Sequence, residues 1–342
     1  MATTSLKEVF VPKLYASYAK LNSLELTDFA QSGIAVTDDR FKNFAMSGGD
    51  LMIMPHWRDL DHTMEPNYSN DDPADLAVPG NVTAGEMQTR ISYLNYGWSA
   101  MDLTGEIAGS SPNKRIAERV ESWWQYQFQK RMLAMSVGLY NENVANHDGD
   151  MVFDATKNAG IGQRVFGGEN FIDAVYTLGD RAGLIKAMAI HSSVEARMAK
   201  EGLIEYIRNS EGQLLYKSYM GKRLVVDDSM PTFGTGEDRK YLSILFSGGQ
   251  FAYASGAPRV PYEVEREPRA GHGGGEETLW TRKTWLMHPY GYSFTGEQLT
   301  GTGGEGNKGN VKSATLNDLQ ASVNWKRVVE RKGVGLAFLV TK

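Results

Sequence analysis

Residues capable of acid–base or metal chemistry are few in this chain, and they do not stand at the spacings that such chemistry needs. No two histidines are four residues apart, the spacing that places two metal ligands on one face of a helix. The histidines are His56, His62, His147, His191, His272 and His288. There is no cysteine, so disulfides, thiol nucleophiles and Cys-ligated metals are excluded. The sequence therefore predicts no metal site built on histidine or cysteine.

Two segments partly match the sequence patterns of nucleotide-binding loops, but each lacks other features that such a loop requires. Residues 301–306, GTGGEG, match G-x-G-x-x-G, but that fingerprint must follow a buried strand and open a helix, and polar glycine-rich sequence lies on both sides here. Gly221 and Lys222 resemble the end of a Walker loop, yet Tyr216 occupies the place of its first glycine and Arg223 that of its hydroxyl residue. We expect a flexible surface loop at 301–306 and no bound nucleotide.

Hydrolytic and calcium-binding sites are not encoded either. His191, Asp227 and one of many serines could form a Ser–His–Asp set, but no G-x-S-x-G sequence marks a nucleophile. Trp123 beside Trp124 is typical of helix packing rather than of a ligand cage. The acidic residues between 59 and 75 fit no calcium-loop spacing, which favours a solvated or partner-facing loop. We predict a protein that is not an enzyme and has no catalytic residue, cofactor or metal ion.

Length and composition predict a soluble globular protein of one elaborate domain or two ordinary ones. The 342 residues are 41% hydrophobic and begin with no signal sequence. The chain contains no uninterrupted apolar run of about 18 residues, so we expect no membrane partner. The formal charge of −5 argues against a protein that coats DNA by neutralising its phosphates.

The strongest structural signal is a helix over residues 111–143. Ser110 and Ser111 offer hydroxyl groups for its N-cap, and Pro112 suits the first helical turn. Apolar residues then recur at steps of three and four: Ile116, Val120, Trp124, Phe128, Met132, Met135 and Leu139. At 1.5 Å per residue this helix would be about 45 Å long, long enough to serve as the spine of a domain.

An extended hairpin is expected before the helix. Residues 51–57 and 87–98 have the composition of strands. The loop between them contains Pro66, Pro73 and Pro79, which block regular structure. Its acidic residues are Asp59, Asp61, Glu65, Asp71, Asp72 and Asp75. Loops this long inside compact domains are uncommon and usually functional.

After residue 168 the chain alternates short helix and strand signals. Ser192 and Glu195 form a capping-box pair that predicts a helix ending near Gly202. A helical face is expected over 171–178, and a glycine-dense loop over 291–309. Strands are expected at 187–190, 220–231, 241–246, 260–264, 279–287 and 334–340. Together, these helices and strands predict an α+β fold without internal repeats.

The order of these parts resembles the major capsid proteins of tailed bacteriophages, the Hong Kong 97-type fold. SGGDLMIMPHW (47–57) is similar to the entry of that family into its extended loop, and the helix from Pro112 is similar to its spine helix. MGKRLVVDDSMP, YLSILFSGGQFAYA, the pair VPYEVERE and TLWTRKTWLMHPYG, and NWKRVVERKGVGLAFLV follow in the family's order. The resemblance covers nearly the whole chain, and it is carried by architecture rather than by one motif.

The resemblance implies a division of the chain into five segments. An N-terminal arm over 1–46 and an extended hairpin loop over 47–108 come first. The peripheral domain with the spine helix follows over 109–168, then an axial domain over 169–265. Residues 266–342 return to the peripheral domain and end in the C-terminal strand. No motif selects a Lys, an Asn and a Glu for the isopeptide crosslink that some members form.

The resemblance also implies a function. We expect a coat protein that assembles into hexamers and pentamers of an icosahedral phage head around double-stranded DNA, which it contacts non-specifically. It would be assembled in the cytoplasm of the host bacterium, with scaffolding, portal and decoration proteins as further partners. The alternatives are a cellular nanocompartment shell protein of the same fold, and an α+β hydrolase or ligand-binding protein.

Charge and exposure together predict a subunit interface. The acidic hairpin must face water or basic groups, because burying an unpaired carboxylate costs several kcal/mol. We expect it to meet the long helix of a neighbouring subunit. The predicted interface residues are Asp59, Asp61, Glu65, Asp71, Asp72 and Asp75 on the hairpin, and Lys114, Arg115, Arg119, Lys130 and Arg131 on the helix.

Overall fold

The computed structural model describes residues 32–47, 49–58, 60, 63–108, 112–208, 210, 212–301 and 313–342. Most of the predicted N-terminal arm, the acidic residues Asp59 and Asp61, and positions 302–306 of the glycine-rich motif lie outside these ranges. In the part of the chain that is described, no helix combines the length and apolarity needed to cross a membrane.

Helices and strands are mixed along the chain, as the sequence predicts. The helices are α1 (Asp39–Ser47), α2 (Asp102–Ala108), α3 (Pro112–Asn146), α4 (Gly168–Tyr176), α5 (Ser192–Lys200) and α6 (Leu316–Gln320), with a helical turn at Ala270–Gly273. The first strands are β1 (Ala35–Thr37), β2 (Leu51–Trp57), β3 (Ala84–Met101), β4 (Val152–Asp154), β5 (Ile185–Ile190), β6 (Glu205–Arg208), β7 (Leu214–Tyr219) and β8 (Lys222–Val226). The later strands are β9 (Thr232–Phe233), β10 (Lys240–Ser247), β11 (Phe251–Gly256), β12 (Tyr262–Glu267), β13 (Glu276–Pro289), β14 (Tyr292–Phe294), β15 (Trp325–Arg327) and β16 (Leu336–Thr341).

The first sheet carries the hairpin. Its strand order is β1-β11-β13-β3-β2, and β12 pairs with the free part of β13. The long strand β3 pairs with β2 over its first seven residues and with β13 over the rest, from Ile91 to Met101. The hairpin is therefore a two-stranded ribbon that continues out of the sheet.

The second sheet contains the last strand of the chain. Its order is β4-β16-β10-β5-β8-β7-β6, with β9 beside β10. β16 pairs in parallel with β4 and antiparallel with β10. The helices α4 and α5 pack on this sheet through Phe171, Val175, Val194 and Met198, all buried.

The long helix α3 joins the cores of the two sheets. On its predicted apolar stripe Val120, Trp124, Met132, Met135 and Leu139 are buried, and Ile116 and Phe128 are half-buried. The stripe packs in one cluster with residues of both sheets. The predicted helix is thus confirmed, and it extends a turn beyond Asn143.

The sheets do not follow the segments predicted from the sequence. β11 and β12 lie within 169–265 but pair with β13 in the first sheet. β16 lies within 266–342 but pairs with β10 in the second. Each sheet therefore draws strands from both segments, because strand pairing across long separations is not visible in local sequence.

Two local predictions are wrong. The N-cap of α5 is His191 rather than Ser192, because the imidazole Nδ1 accepts a hydrogen bond from the Ser193 N–H at 3.1 Å. The glycine-dense segment 291–309 is not all loop, since Tyr292–Phe294 forms β14 and pairs with β15. Buried aromatic side chains at Tyr292 and Phe294 explain this strand.

Candidate subunit interface

The extended hairpin projects from the first sheet as a ribbon of β2 and β3. In its ribbon, residues of β2 from Leu51 to Trp57 stand opposite Arg90 to Ala84 of β3. The Arg58 N–H donates to the Thr83 carbonyl at 2.9 Å and closes the neck of the loop.

The two faces of the ribbon have different surroundings. Met52 and Met54 face the subunit and pack against the same small core as Phe44 of α1. Ile53 and Trp57 occupy alternate positions and are exposed, Trp57 to 75%. A strand points successive side chains to opposite faces, so the ribbon has one packed face and one exposed face, on which Ile53 stands opposite Gln88 of β3.

The loop beyond the ribbon is not covered by any part of the chain that the structure describes. Every residue from 63 to 83 is exposed. The exposed fraction is 80% for Tyr68, 81% for Leu76 and 76% for Val78. Several large apolar side chains exposed on one loop mark an interaction surface.

The acidic side chains of this loop accept hydrogen bonds from other loop residues, and they form no ion pair with a described basic residue. Glu65 accepts a hydrogen bond from the Tyr68 hydroxyl at 3.3 Å, and Asp72 accepts one from the Ala74 N–H at 2.9 Å. The Asn70 amide donates to Asp75. Among the described residues, no lysine or arginine forms an ion pair with Glu65, Asp71, Asp72 or Asp75, so these charges remain available to a neighbour.

Three of the predicted basic residues lie together at the start of the long helix. Lys114, Arg115 and Arg119 are exposed, and Arg115 forms an ion pair with Glu118 at 3.6 Å. Exposed pairs of this kind contribute little and exchange readily. Lys130 lies farther along α3, with its Nζ 4.6 Å from the centre of the Tyr126 ring.

The charge pattern of the helix predicts that Arg131 lies on its exposed side, and this prediction is wrong. Its guanidinium is buried, and Nη2 donates to Ser92 Oγ at 2.7 Å and to the Ala314 carbonyl at 2.9 Å. Burial lowers the pKa of Arg131 to about 10, an effect that the nearby Asp318 opposes. Arg131 is therefore an internal clamp between α3, β3 and the segment before α6, and it cannot meet a neighbouring subunit.

The acidic loop and the start of the helix lie at opposite ends of β3. The loop precedes Ala84, and α2 follows Met101, at the end of an 18-residue strand. At about 3.3 Å per residue this strand spans about 56 Å. The long helix runs back along β3, since Trp123 contacts Trp98 with ring centres 5.1 Å apart, whereas Arg131 contacts Ser92. The two charged sets therefore do not meet within one subunit.

The other polar clusters are structural. Asp150 receives two hydrogen bonds from Arg327 Nη1, at 2.8 and 2.9 Å, and the buried Glu142 pairs with His147 at 3.1 Å. The Arg327 N–H also donates to Glu142 at 3.3 Å, so Arg327 of β15 contacts both α3 and the segment that follows it. In the described ranges no group of three or more His, Asp or Glu side chains is placed to bind a metal ion.

One exposed surface was not foreseen from the sequence. On α2, Leu103 and Ile107 stand four residues apart and are exposed, Ile107 to 80%. Apolar residues at this spacing predict a helix face that packs on something. The sequence alone does not reveal that this helix face is exposed in the described part of the subunit.

The sequence is similar to that of a phage protein over nearly its whole length. The chain is 33% identical over 337 residues to the major capsid protein of Bacillus phage SPP1, covering 98% of this chain and 97% of that protein. A solved structure from Microbacterium phage Oxtober96 has a TM-score of 0.49 and 9% identity, covering 89% of this chain and 88% of that one. The capsid of Ralstonia phage GP4 has a TM-score of 0.48 and 11% identity, covering 78% of this chain and 87% of that one. No model of a known protein family matches the sequence.

The similarity to the SPP1 protein shows to which family the chain belongs. It extends over nearly the full length of both proteins, so it includes the hairpin, the long helix and both sheets. The chain belongs to the family of bacteriophage major capsid proteins.

Proposed function

We propose that this protein assembles with copies of itself into the hexamers and pentamers of an icosahedral phage head around double-stranded DNA. The relationship to a phage major capsid protein supports the shell. The observation that supports a role of the hairpin loop in joining subunits is its exposure, because every residue from 63 to 83 is exposed in the part of the chain that the structure describes. Assembly in the host cytoplasm, non-specific contact with the packaged DNA, and scaffolding, portal and decoration partners belong to the same proposal.

In the proposed shell the acidic loop of one subunit lies against the start of the long helix of the next. Attraction between the two charged sets steers subunits together and selects the register. Each exposed pair contributes only about 0 to 1 kcal/mol, but the contact repeats at every interface of a closed shell. The proposed set is Asp59, Asp61, Glu65, Asp71, Asp72, Asp75, Lys114, Arg115, Arg119 and Lys130.

The two sheets suggest how the subunit is divided. We propose that the first sheet and the long helix form the peripheral domain. The second sheet, with α4 and α5, forms the axial domain near the centre of each capsomer. Because β11 pairs with β13 of the first sheet, we propose a domain boundary near residue 250 instead of 265.

Removal of the loop tests the proposal. Replacing residues 60–81 with a short Gly-Ser turn keeps the hydrogen bond between Arg58 and Thr83 that closes the ribbon. We expect a subunit with a near-normal circular dichroism spectrum that forms no particles in electron micrographs or by sedimentation.

A charge-matched pair of variants separates the loop from a general charge effect. The first neutralises Glu65, Asp71, Asp72 and Asp75 as Gln or Asn, and should assemble poorly. The control neutralises the same number of exposed acids elsewhere: Asp148, Asp173, Asp228 and Glu297. Closed shells of normal size from the shortened protein would show that the hairpin does not join subunits.

A further inference from the structure

A small cavity lies beside Arg131, between α3, β3, β13 and the segment that leads into α6. Its volume is about 20 Å³, which is enough for one water molecule or one ion of similar size. None of the eleven residues that line it is an aspartate or a glutamate. A second arginine, Arg90, is among them, and its guanidinium pairs with Asp50 at 3.2 Å. The cavity is therefore bordered by two arginines and by no acidic side chain.

The charge of Arg131 has no close counter-charge in the part of the chain that the structure describes. Its buried guanidinium forms no ion pair with a described carboxylate, and Asp318 acts on it only from a distance. The Asp318 carboxylate instead accepts hydrogen bonds from the Thr300 hydroxyl at 2.8 Å and from the Thr315 N–H at 2.9 Å. Burying a charge without a counter-charge is costly, so an anion beside Arg131 would stabilise the folded subunit.

The cavity lining offers hydrogen-bond donors rather than acceptors. Both hydrogen bonds of Arg131 come from Nη2, so Nε and Nη1 have no acceptor among the described residues. The Ser92 hydroxyl accepts from Arg131 and donates to no described group. The carbonyl oxygens of the lining residues Met287, Ala314 and Leu319 each already accept a side-chain hydrogen bond. An anion needs only donors, whereas the two hydrogens of a water molecule need acceptors.

We infer that this cavity binds one chloride ion, which accepts hydrogen bonds from the Arg131 guanidinium and from the Ser92 hydroxyl. Sulfate, phosphate and organic anions are too large for a space of about 20 Å³. The ion lies where Arg131 joins α3 to β3 and to the Ala314 carbonyl, so chloride stabilises the subunit itself, assembled or not. The inference goes beyond the proposed function and does not depend on it.

Urea unfolding of the unassembled subunit tests the site. Sodium chloride is compared with sodium gluconate at equal ionic strength, because gluconate is too large for the cavity. A ligand that binds only the folded state lowers the unfolding constant by the factor 1 + [L]/Kd, which approaches tenfold for each tenfold rise in chloride above its Kd. We expect this dependence in chloride and not in gluconate. The same dependence in both salts would overturn the inference.

Variants separate binding in the cavity from a general effect of the salt. Arg131→Met should remove the difference between chloride and gluconate. Arg115→Met removes an exposed arginine of the same helix and should keep that difference. If Arg131→Met does not fold, Ser92→Ala replaces it and should shift the chloride dependence to higher concentration. A response equal to that of the wild-type protein in the cavity variants would show that the ion does not bind there.

Bromide locates the ion directly, because it has the charge of chloride, is similar in size and gives an anomalous X-ray signal. Crystals of the subunit grown in bromide should show an anomalous peak inside the cavity, beside Arg131 and Ser92. Density for a water molecule without an anomalous signal would refute the anion site. Particle formation by the same protein is scored by electron microscopy. Normal particles from a subunit without a bromide peak would refute this inference and leave the proposed shell function standing.

Discussion

The indole nitrogen of Trp124 donates a hydrogen bond to the hydroxyl oxygen of Thr281 at 2.9 Å, and both side chains are buried. Thr281 in turn donates to the carbonyl of Tyr96 at 3.1 Å. These three residues lie on α3, β13 and β3. The long helix and these two strands of the first sheet are thus held together as one unit.

Replacement of Trp124 by alanine should unfold this unit first. Truncation of a buried aromatic side chain costs roughly 3 to 5 kcal/mol, and here it also removes the hydrogen bond to Thr281. We expect a clear drop in the melting temperature of the unassembled subunit. Trp57→Ala is the control, because Trp57 is exposed on the hairpin and its loss should leave that temperature unchanged.

Gly138 allows α6 and the segment after it to approach the long helix closely. A Cβ atom at this position would lie 2.0 Å from the Leu319 carbonyl oxygen and 2.5 Å from Trp325 Nε1. Alanine favours helices by about 1 kcal/mol over glycine, but overpacking costs roughly 1 to 3 kcal/mol. Gly138→Ala should therefore lower the urea midpoint. Gly183→Ala, where a Cβ meets nothing within 4 Å, should not.

Arg131 should matter for stability rather than for assembly charge. Arg131→Met keeps much of the volume but leaves Ser92 Oγ and the Ala314 carbonyl without their donor. Hydrogen bonds to charged groups contribute about 1.5 to 3 kcal/mol each, so the subunit should lose stability. Arg115→Met should leave the melting temperature unchanged and weaken assembly. If Arg131→Met instead kept its melting temperature and assembled poorly, Arg131 would have to be assigned to the subunit interface.

Asp150 should make the subunit acid-sensitive. Burial raises the pKa of Asp150, but hydrogen bonds from Arg327 and Asn143 outweigh it, and the net pKa lies below the ordinary value. The resulting stabilisation is present above the unfolded pKa of about 4 and is lost as the pH falls through the folded pKa. Asp150→Asn should flatten the fall in urea midpoint below about pH 4, whereas Asp148→Asn should preserve it.

High salt should weaken assembly of the shell without changing the secondary structure of the subunit. The Debye length falls from about 10 Å at 0.1 M to about 3 Å at 1 M ionic strength, so exposed pairs between hairpin and helix are screened. We expect assembly of the intact protein to weaken with salt while its circular dichroism spectrum stays constant. Assembly that strengthens steadily with salt would show that the hairpin charges repel each other more than they attract a neighbour.

The sequence predicts the elements well where their signal is local. The apolar stripe of α3, the strand at 51–57 and the exposed acidic loop depend on periodicity, proline and charge within short windows, and the structure contains all three. The charged residues of α3 show the limit of this reasoning. Glu121 and Arg131 have the spacing of surface residues but are buried, because Lys283 and Ser92 reach them from distant parts of the chain.

The same limit applies to the candidate interface. Charge patterning identified Asp71 and Arg119 as candidates, since neither requires knowledge of the fold. The aliphatic pair on α2 was missed, because two apolar residues on a short helix ordinarily pack into their own core. Only the three-dimensional arrangement shows that Leu103 and Ile107 stay exposed.

The position of β16 has a consequence for when a subunit can form. This strand lies between β4 and β10, and it joins Phe338 to Val152 and Val340 to Leu242. Because β4 leaves the ribosome long before β16, its pairing edge has to wait until residues 336–341 have been made. Such distant pairings also form slowly. A chain that stops before residue 336 therefore lacks the strand that joins β4 to β10 and cannot complete the second sheet.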